Sequence, residues 1–274
     1  MRPIAGPANF WNWRRMLSCC CRARNGSGSR PCCVAAGCTR AARVLGELDG
    51  EECRGAVQAA LAHVSPQVRF AARRATLANG PVEEKLKVLC SLSPLALWER
   101  IVLFHSIPAD SPAVPRFLGE AFQRGEEPLA LIALELLYSI RRLVPVTIPS
   151  ELARADNSEV RIRFFKALPY CATGRDLALI LREGMRDADW RVRAMAAEAC
   201  ASLRPEGVAD DLMAMCQSFT NAAEAAHAAR ALSALGGAAR RRLQSLATSG
   251  SAATRQIAAE VIEKQLLETA GVQS

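Results

Sequence analysis

The sequence predicts an all-α solenoid, a superhelix of about seven to eight helical hairpins. Three observations lead there. Apolar residues recur at three- and four-residue steps, the spacing of one helical face. That pattern returns at a nearly fixed period of 30 to 32 residues. Pro, Gly, Asn or Asp separates most of the apolar runs, as expected where the chain turns back.

The clearest copy is Asp187 to Leu203, DADWRVRAMAAEACASL. Asp187 and Asp189 are good caps for a helix start. Val192 then anchors a stripe that continues at the fourth, seventh and eighth positions, through Ala196, Ala199 and Cys200. Val160 gives Phe164, Ala167 and Leu168, and Leu129 gives Ala133, Leu136 and Leu137. Val68 gives Ala72, Ala75 and Thr76; Glu224 gives Ala228, Ala231 and Leu232; Thr254 gives Ala258, Val261 and Ile262. Trp98 with Val102, and Cys38 with Ala42, are poorer copies. The fixed step between anchors outweighs any one match, because alanine-rich helices fit many templates.

A second apolar helix is expected between successive anchors. In order these are Val82–Leu92, Ala113–Phe122, Ile148–Ala155, Leu177–Met185, Val208–Cys216 and Ala238–Leu246. Pro108, Pro112 and Pro115 delay the second of them, and Pro145 with Pro149 brackets an irregular approach to the third. The predicted organisation is a disordered Arg- and Cys-rich tail over 1–37, the solenoid over 38–267, and a short tail over 268–274. The last helix, over 250–267, is more polar, which suits a capping element.

The residues around each anchor resemble the HEAT family, especially its short bacterial form known from phycobilin lyase subunits. The likeness is carried by Asp187–Asp189 with Val192–Arg193, by Asn157–Ser158 with Val160–Arg161, by Ser65–Pro66 with Val68–Arg69 and by Gly250–Ser251 with Thr254–Arg255. It covers roughly 40 to 265. It implies that the second helix of each pair lines a concave face. It also implies that the anchor arginines Arg69, Arg161, Arg193 and Arg255, with Asp187 and Asp189, join neighbouring repeats. The copies at Trp98 and Glu224 lack the Val–Arg pair, so irregular stacking is expected there.

Steps of 100° per residue place the second, sixth and ninth residues after an anchor away from the core. The sixth positions read Arg74, Phe104, Glu135, Lys166, Glu198, Arg230 and Glu260, alternating in sign from Glu135 onward. They suit either a ladder of ion pairs or a plain solvated face. Leu131, Leu134 and Tyr138 on one helix, with Ile162 and Phe165 on the next, are read as an outward apolar patch that binds a protein partner.

The net charge of +8 lies entirely in the first 46 residues, which hold eight Arg and no acidic residue; residues 47–274 balance 27 basic against 27 acidic side chains. A neutral body disfavours nucleic acid as its ligand. Phe10, Trp11 and Trp13 beside Arg14 and Arg15 leave membrane association through the tail as an alternative. Six cysteines fall between Cys19 and Cys38 and five lie singly in the repeats, a usage that suggests a reducing compartment. Adjacent cysteines make poor zinc ligands, so no metal site is assigned. No apolar run reaches the eighteen residues of a membrane span.

His63, His105 and His227 fall in different repeats, and no His-Glu dipeptide of the deoxyhypusine hydroxylase type is present. No catalytic constellation stands out and no cofactor is implied. The resulting expectation is a non-catalytic, cytoplasmic protein–protein scaffold. A lyase-type helper for tetrapyrrole attachment and a nucleic-acid or membrane binder acting through the tail are its rivals.

Overall fold

The computed structural model describes residues 39, 41–42, 51–90, 104–108, 110–172 and 176–271. The tail over 1–37, the anchors Cys38 and Trp98, and residues 272–274 lie outside them. The fold is all-α. The chain divides into two compact units, Met1–Val114 and Pro115–Ser274.

In the first unit, α1 (Glu51–Ala60), α2 (Pro66–Asn79) and α3 (Val82–Cys90) follow one another. Pro66 opens α2, where its fixed φ suits a helix start and its missing N–H costs nothing. Cys53, Val57 and Ala60 pack on Val68, Ala72 and Ala75, with Ala41 against them. The predicted anchor Val68 is therefore core.

The second unit holds α4 (Ala113–Arg124, which begins just before the division), α5 (Glu127–Ile140) and α6 (Ser158–Ala167). These are followed by α7 (Leu177–Met185), α8 (Trp190–Leu203), α9 (Ala209–Gln217), α10 (Ala222–Leu235), α11 (Gly237–Ser249) and α12 (Ala252–Gly271). α12 runs past the expected boundary at 267. Helices α5, α6, α8, α10 and α12 form one row in which each packs on the next, while α7, α9 and α11 pack on α8, α10 and α12 in turn. This is the stacked-hairpin arrangement of an α-solenoid.

Local chemistry sets the helix ends in that row. Asn157, Asp189 and Asn221 cap α6, α8 and α10, each accepting from the backbone N–H two residues on at 2.9 Å. α5 and α8 stop at Arg141 and Arg204, which adopt left-handed conformations at φ 51° and 50°. Leu129, Val160 and Val192 are fully or almost fully buried. Burying a side chain of this size contributes about 1.5–3 kcal/mol relative to exposure.

The hairpin ending in α6 departs from expectation. Only a 3-10 turn, Ser150–Arg154, stands where a full helix over Ile148–Ala155 is predicted. Pro145 and Pro149 hold the approach extended. Val144 donates to Tyr170 O at 2.9 Å, and Ala172 donates to Val146 O at 3.0 Å. That single parallel bridge between Val144 and Cys171 is the β-pairing found among the described residues.

Candidate interaction surface

The arginine beside each anchor works in a consistent way. Its Nη1 donates to loop carbonyls before its own helix: Arg69 to His63 and Val64, Arg161 to Ala155 and Asp156, Arg193 to Asp187 and Ala188, Arg255 to Gly250. In the middle repeats the Nε–Nη2 edge then reaches a carboxylate of the following repeat. Arg161 meets Asp187 at 2.7 and 2.9 Å, and Arg193 meets Glu224 at 2.7 Å twice. Each pair is bidentate, the geometry to which a guanidinium is best suited. The Asp187 carboxylate is the foremost cause raising the Arg161 pKa, and the Glu224 carboxylate does the same for Arg193.

Glu224 resolves the irregularity expected in its repeat. It occupies the anchor position itself, only 2% exposed, and Arg193 with Thr220 satisfies its carboxylate. The stack continues regularly through it, since buried charge is tolerable when paired and hydrogen-bonded. The anchor Thr254 is polar and buried too, and its hydroxyl donates to Cys216 O at 3.0 Å.

Asp189 acts less directly than expected. It caps α8 and binds the Arg191 guanidinium, whose Nη1 crosses to Glu159 at 2.8 Å. Hydrogen bonding from Arg191 holds the Asp189 carboxyl at about 2, below the usual carboxylate range. A second set of pairs runs along the first helices and escaped the sequence reading: Arg154 with Glu183, Arg186 with Asp211, and Arg242 with Asp210. These link segments about one repeat apart, a relation no single-helix pattern displays.

The predicted apolar partner patch does not exist as an exposed surface. Leu134, Phe165 and Ile162 are buried, at 0%, 1% and 7% exposure, while Leu131 and Tyr138 are half-buried. The physical reason is that a helix inside the row has neighbours on three sides. In α5, α6 and α8 the second and fifth positions after the anchor turn toward the next repeat, and the ninth, Tyr138 in α5, is half-buried at the rim of that contact. Phe165 packs so closely on α7 that a Cβ on Gly184 would lie 2.2 Å from its ring. Ser233, at the ninth position of α10, hydrogen-bonds Gln265 of α12. The corresponding fifth residues Ala197 and Ala229 are buried as well.

What the row presents to solvent is the sixth-position ridge with Tyr138 beside it. Lys166 Nζ lies 5.9 Å from the Tyr138 ring centre and the Arg141 guanidinium lies 5.4 Å from it. Tyr170 meets the same ring edge-on at 6.0 Å. Glu198 approaches His227 Nδ1 at 3.4 Å, not the Lys166 or Arg230 contact that a ladder would make. Burial, then Arg230, lowers the His227 pKa against the opposing pull of Glu198. The surface is thus mixed in charge and carries one aromatic ring flanked by two cations.

The remaining candidates for chemistry are structural in form. Burial pushes the Cys171 thiol up to about 11 and those of Cys200 and Cys216 to about 12, so they remain protonated near neutral pH. His63 is a loop residue that accepts from Ser65 N–H at 3.0 Å through Nδ1. Among the described residues, no three His, Cys, Asp or Glu side chains converge as a metal-binding group. No helix among them is long and apolar enough to cross a membrane. The cysteine cluster and the aromatic–arginine segment of the tail lie outside the described residues.

Comparison with known proteins bears on the same region. The family model for HEAT repeats matches residues 148–232 and 180–263. No curated protein matches the sequence. Among solved structures, human deoxyhypusine hydroxylase in complex with glycerol is similar at 17% identity, over 94% of this chain and 98% of that one, with a TM-score of 0.37. An engineered protein is similar at 19% identity, over 92% and 95%, with a TM-score of 0.34. At those TM-scores neither likeness carries an argument about activity.

Proposed function

From a chain whose residues 148–263 are HEAT repeats, we propose a non-catalytic scaffold or adaptor that holds protein partners on the exposed face of its second helices. The observation that supports this reading most is the pairing of a braced framework with a chemically mixed open face. Arg161–Asp187 and Arg193–Glu224 tie successive repeats, while Tyr138, Lys166, Glu198 and Arg230 are left facing outward along the same row. Rigid presentation of an aromatic ring among charges of both signs suits a protein surface. Tyrosine supplies contact area at low entropic cost, and the charges select register and partner. The balanced charge of residues 47–274 favours the same reading over a phosphate-tracking one. A cytoplasmic setting fits the singly placed, buried thiols.

The test places a photo-crosslinking amino acid at Tyr138 in cells, identifies the captured protein, and measures its affinity as a purified component. Lys166→Glu with Arg230→Glu should weaken that binding about tenfold or more while leaving the helical spectrum unchanged. Unchanged affinity in the folded double variant would remove this face from the proposal.

A further inference from the structure

Every described arginine from Arg154 to Arg193 has a carboxylate within ion-pair distance. One group of cations on the same row differs. Exposed Arg141 and Arg142, where α5 ends, and half-buried Lys166, near the end of α6, make no ion pair among the described residues. On the sixth-position ridge Lys166 stands between Glu135 of α5 and Glu198 of α8, yet its Nζ lies 5.9 Å from the Tyr138 ring centre. Arg141 joins it there, with its guanidinium at 5.4 Å from that centre and Nη2 reaching the Tyr138 hydroxyl at 3.4 Å. Two cations without a counter-charge therefore meet at one ring.

The backbone holds this group together. Arg141 ends α5 in a left-handed conformation, at φ 51°, and turns the chain out of the helix. Arg142 and Leu143 follow, and then Val144 N–H donates to Tyr170 O at 2.9 Å. That bond and the Val144–Cys171 bridge fix the turn beside the end of α6. Tyr170 meets Tyr138 edge-on, and Leu143, next to Arg142, is left 74% exposed. The result is a positive area with an aromatic centre and an apolar rim. Glu135, one turn before Tyr138, and Glu198, which turns to His227, bound it along the row.

We propose that this area binds an acidic peptide segment of a protein partner, with carboxylates taken by Arg141 and Lys166 and an apolar side chain set against Leu143. The inference rests on the reading of this face as a protein-binding surface. Charge complementarity selects the occupant. Neighbouring like charges raise the local potential and the ring offsets only part of it, so one incoming anionic segment gains from both cations. An extended segment rises about 3.3 Å per residue, so carboxylates two residues apart project on one side about 7 Å from each other. That spacing suits two cations that both lie within about 6 Å of one ring centre. A nucleic-acid backbone needs cations that continue along the surface, and Glu135 and Glu198 interrupt them here. Leu143 and Tyr138 offer apolar contact that a peptide side chain uses and a phosphate does not.

Peptide display on the purified full chain, followed by fluorescence anisotropy with the enriched peptides, tests this. Wild type should enrich peptides that carry two or more Asp or Glu beside an aliphatic or aromatic residue. Arg141→Gln with Lys166→Gln, and separately Tyr138→Ala, should weaken their binding about tenfold or more with the helical spectrum retained. Arg141→Gln alone, at an exposed position, should weaken it about threefold, and Arg204→Gln at the end of α8 should leave it unchanged. Raising salt from about 50 to about 500 mM should also weaken it. No enrichment, or acidic peptides bound equally well by the folded double variant, would overturn the proposal. Neutral or basic peptides that lose binding only in Tyr138→Ala would overturn the acidic assignment and leave the face as a partner surface. Enriched peptides indifferent to all these substitutions would remove both readings. Labelled single-stranded RNA that binds more tightly than the peptides, and through Arg141 and Lys166, would overturn the peptide in favour of a polyanion.

Discussion

The sharpest test of the framework is removal of one arginine. Arg193→Ala would leave the Glu224 carboxylate, 2% exposed, with only the Thr220 hydroxyl at 3.2 Å as its side-chain donor. It would also strip the donors from the carbonyls of Asp187 and Ala188. Breaking a buried ion pair by deleting one partner typically costs about 3–5 kcal/mol, because the surviving charge stays desolvated. The same logic makes the paired deletion much milder. Arg193→Met with Glu224→Val installs at the α10 anchor the residue that α6 and α8 already carry, Val160 and Val192. Replacing both members of a buried pair by apolar groups is often neutral or stabilising. Equilibrium urea unfolding of the full chain, followed by far-UV circular dichroism, measures both through linear extrapolation. A loss below about 1 kcal/mol for Arg193→Ala, the level of exposed surface pairs, would refute the reasoning. So would a double variant as unstable as the single one.

Two further outcomes follow from the packing and the electrostatics. Gly184→Ala should destabilise by about 1–3 kcal/mol, since its Cβ would meet the Phe165 ring and overpack the α6–α7 joint; adding Phe165→Leu should recover part of the loss in the same urea titration. The folded pKa of His227 lies below its ordinary 6.5, so the unfolded chain binds the proton more readily. The stability contributed by neutral His227 is then fully present above about pH 6.5 and is lost as pH falls from there through the folded pKa. His227→Gln should flatten that part of the stability–pH curve, and a curve identical to wild type would contradict it.

The row of second helices was legible because its signal is local. Val160 and Val192 lie in short apolar stripes that any helical wheel exposes, and α7 begins and ends at the predicted Leu177 and Met185. Reading which face each residue presents was harder. A wheel divides a helix into core and solvent, whereas Leu134, Ile162 and Phe165 face a third environment, the following repeat. Gly184 beneath Phe165 is the trace of that contact in the sequence, nineteen residues away and indistinguishable there from an ordinary helical glycine. Glu224 misled for a related reason. An acidic residue at an anchor looks like a broken repeat until Arg193, thirty-one residues earlier, is seen to complete it. The shortened Ser150–Arg154 turn was foreshadowed by Pro145 and Pro149, but an apolar pattern alone does not say whether a segment has room to become a full helix.

The extended stretch after α5 bears on how the array comes apart. In a quasi-one-dimensional repeat protein, cooperativity depends on the free energy of each nearest-neighbour joint, and unfolding partitions where that energy is lowest. The α5–α6 joint has Ala130 where α6 and α8 have Arg161 and Arg193, and a single amide-to-carboxylate Asn157–Glu127 hydrogen bond in place of an Arg–carboxylate fork. Its extended connection is clipped by two backbone hydrogen bonds. Thermal fluctuation should therefore divide the second unit there. Amides of α5 would exchange earlier than those of α8 and α10, which share the most strongly braced joint. The solenoid is then a short segment and a long segment in mechanical series, and the junction between them sets how far strain applied at one end is felt at the other.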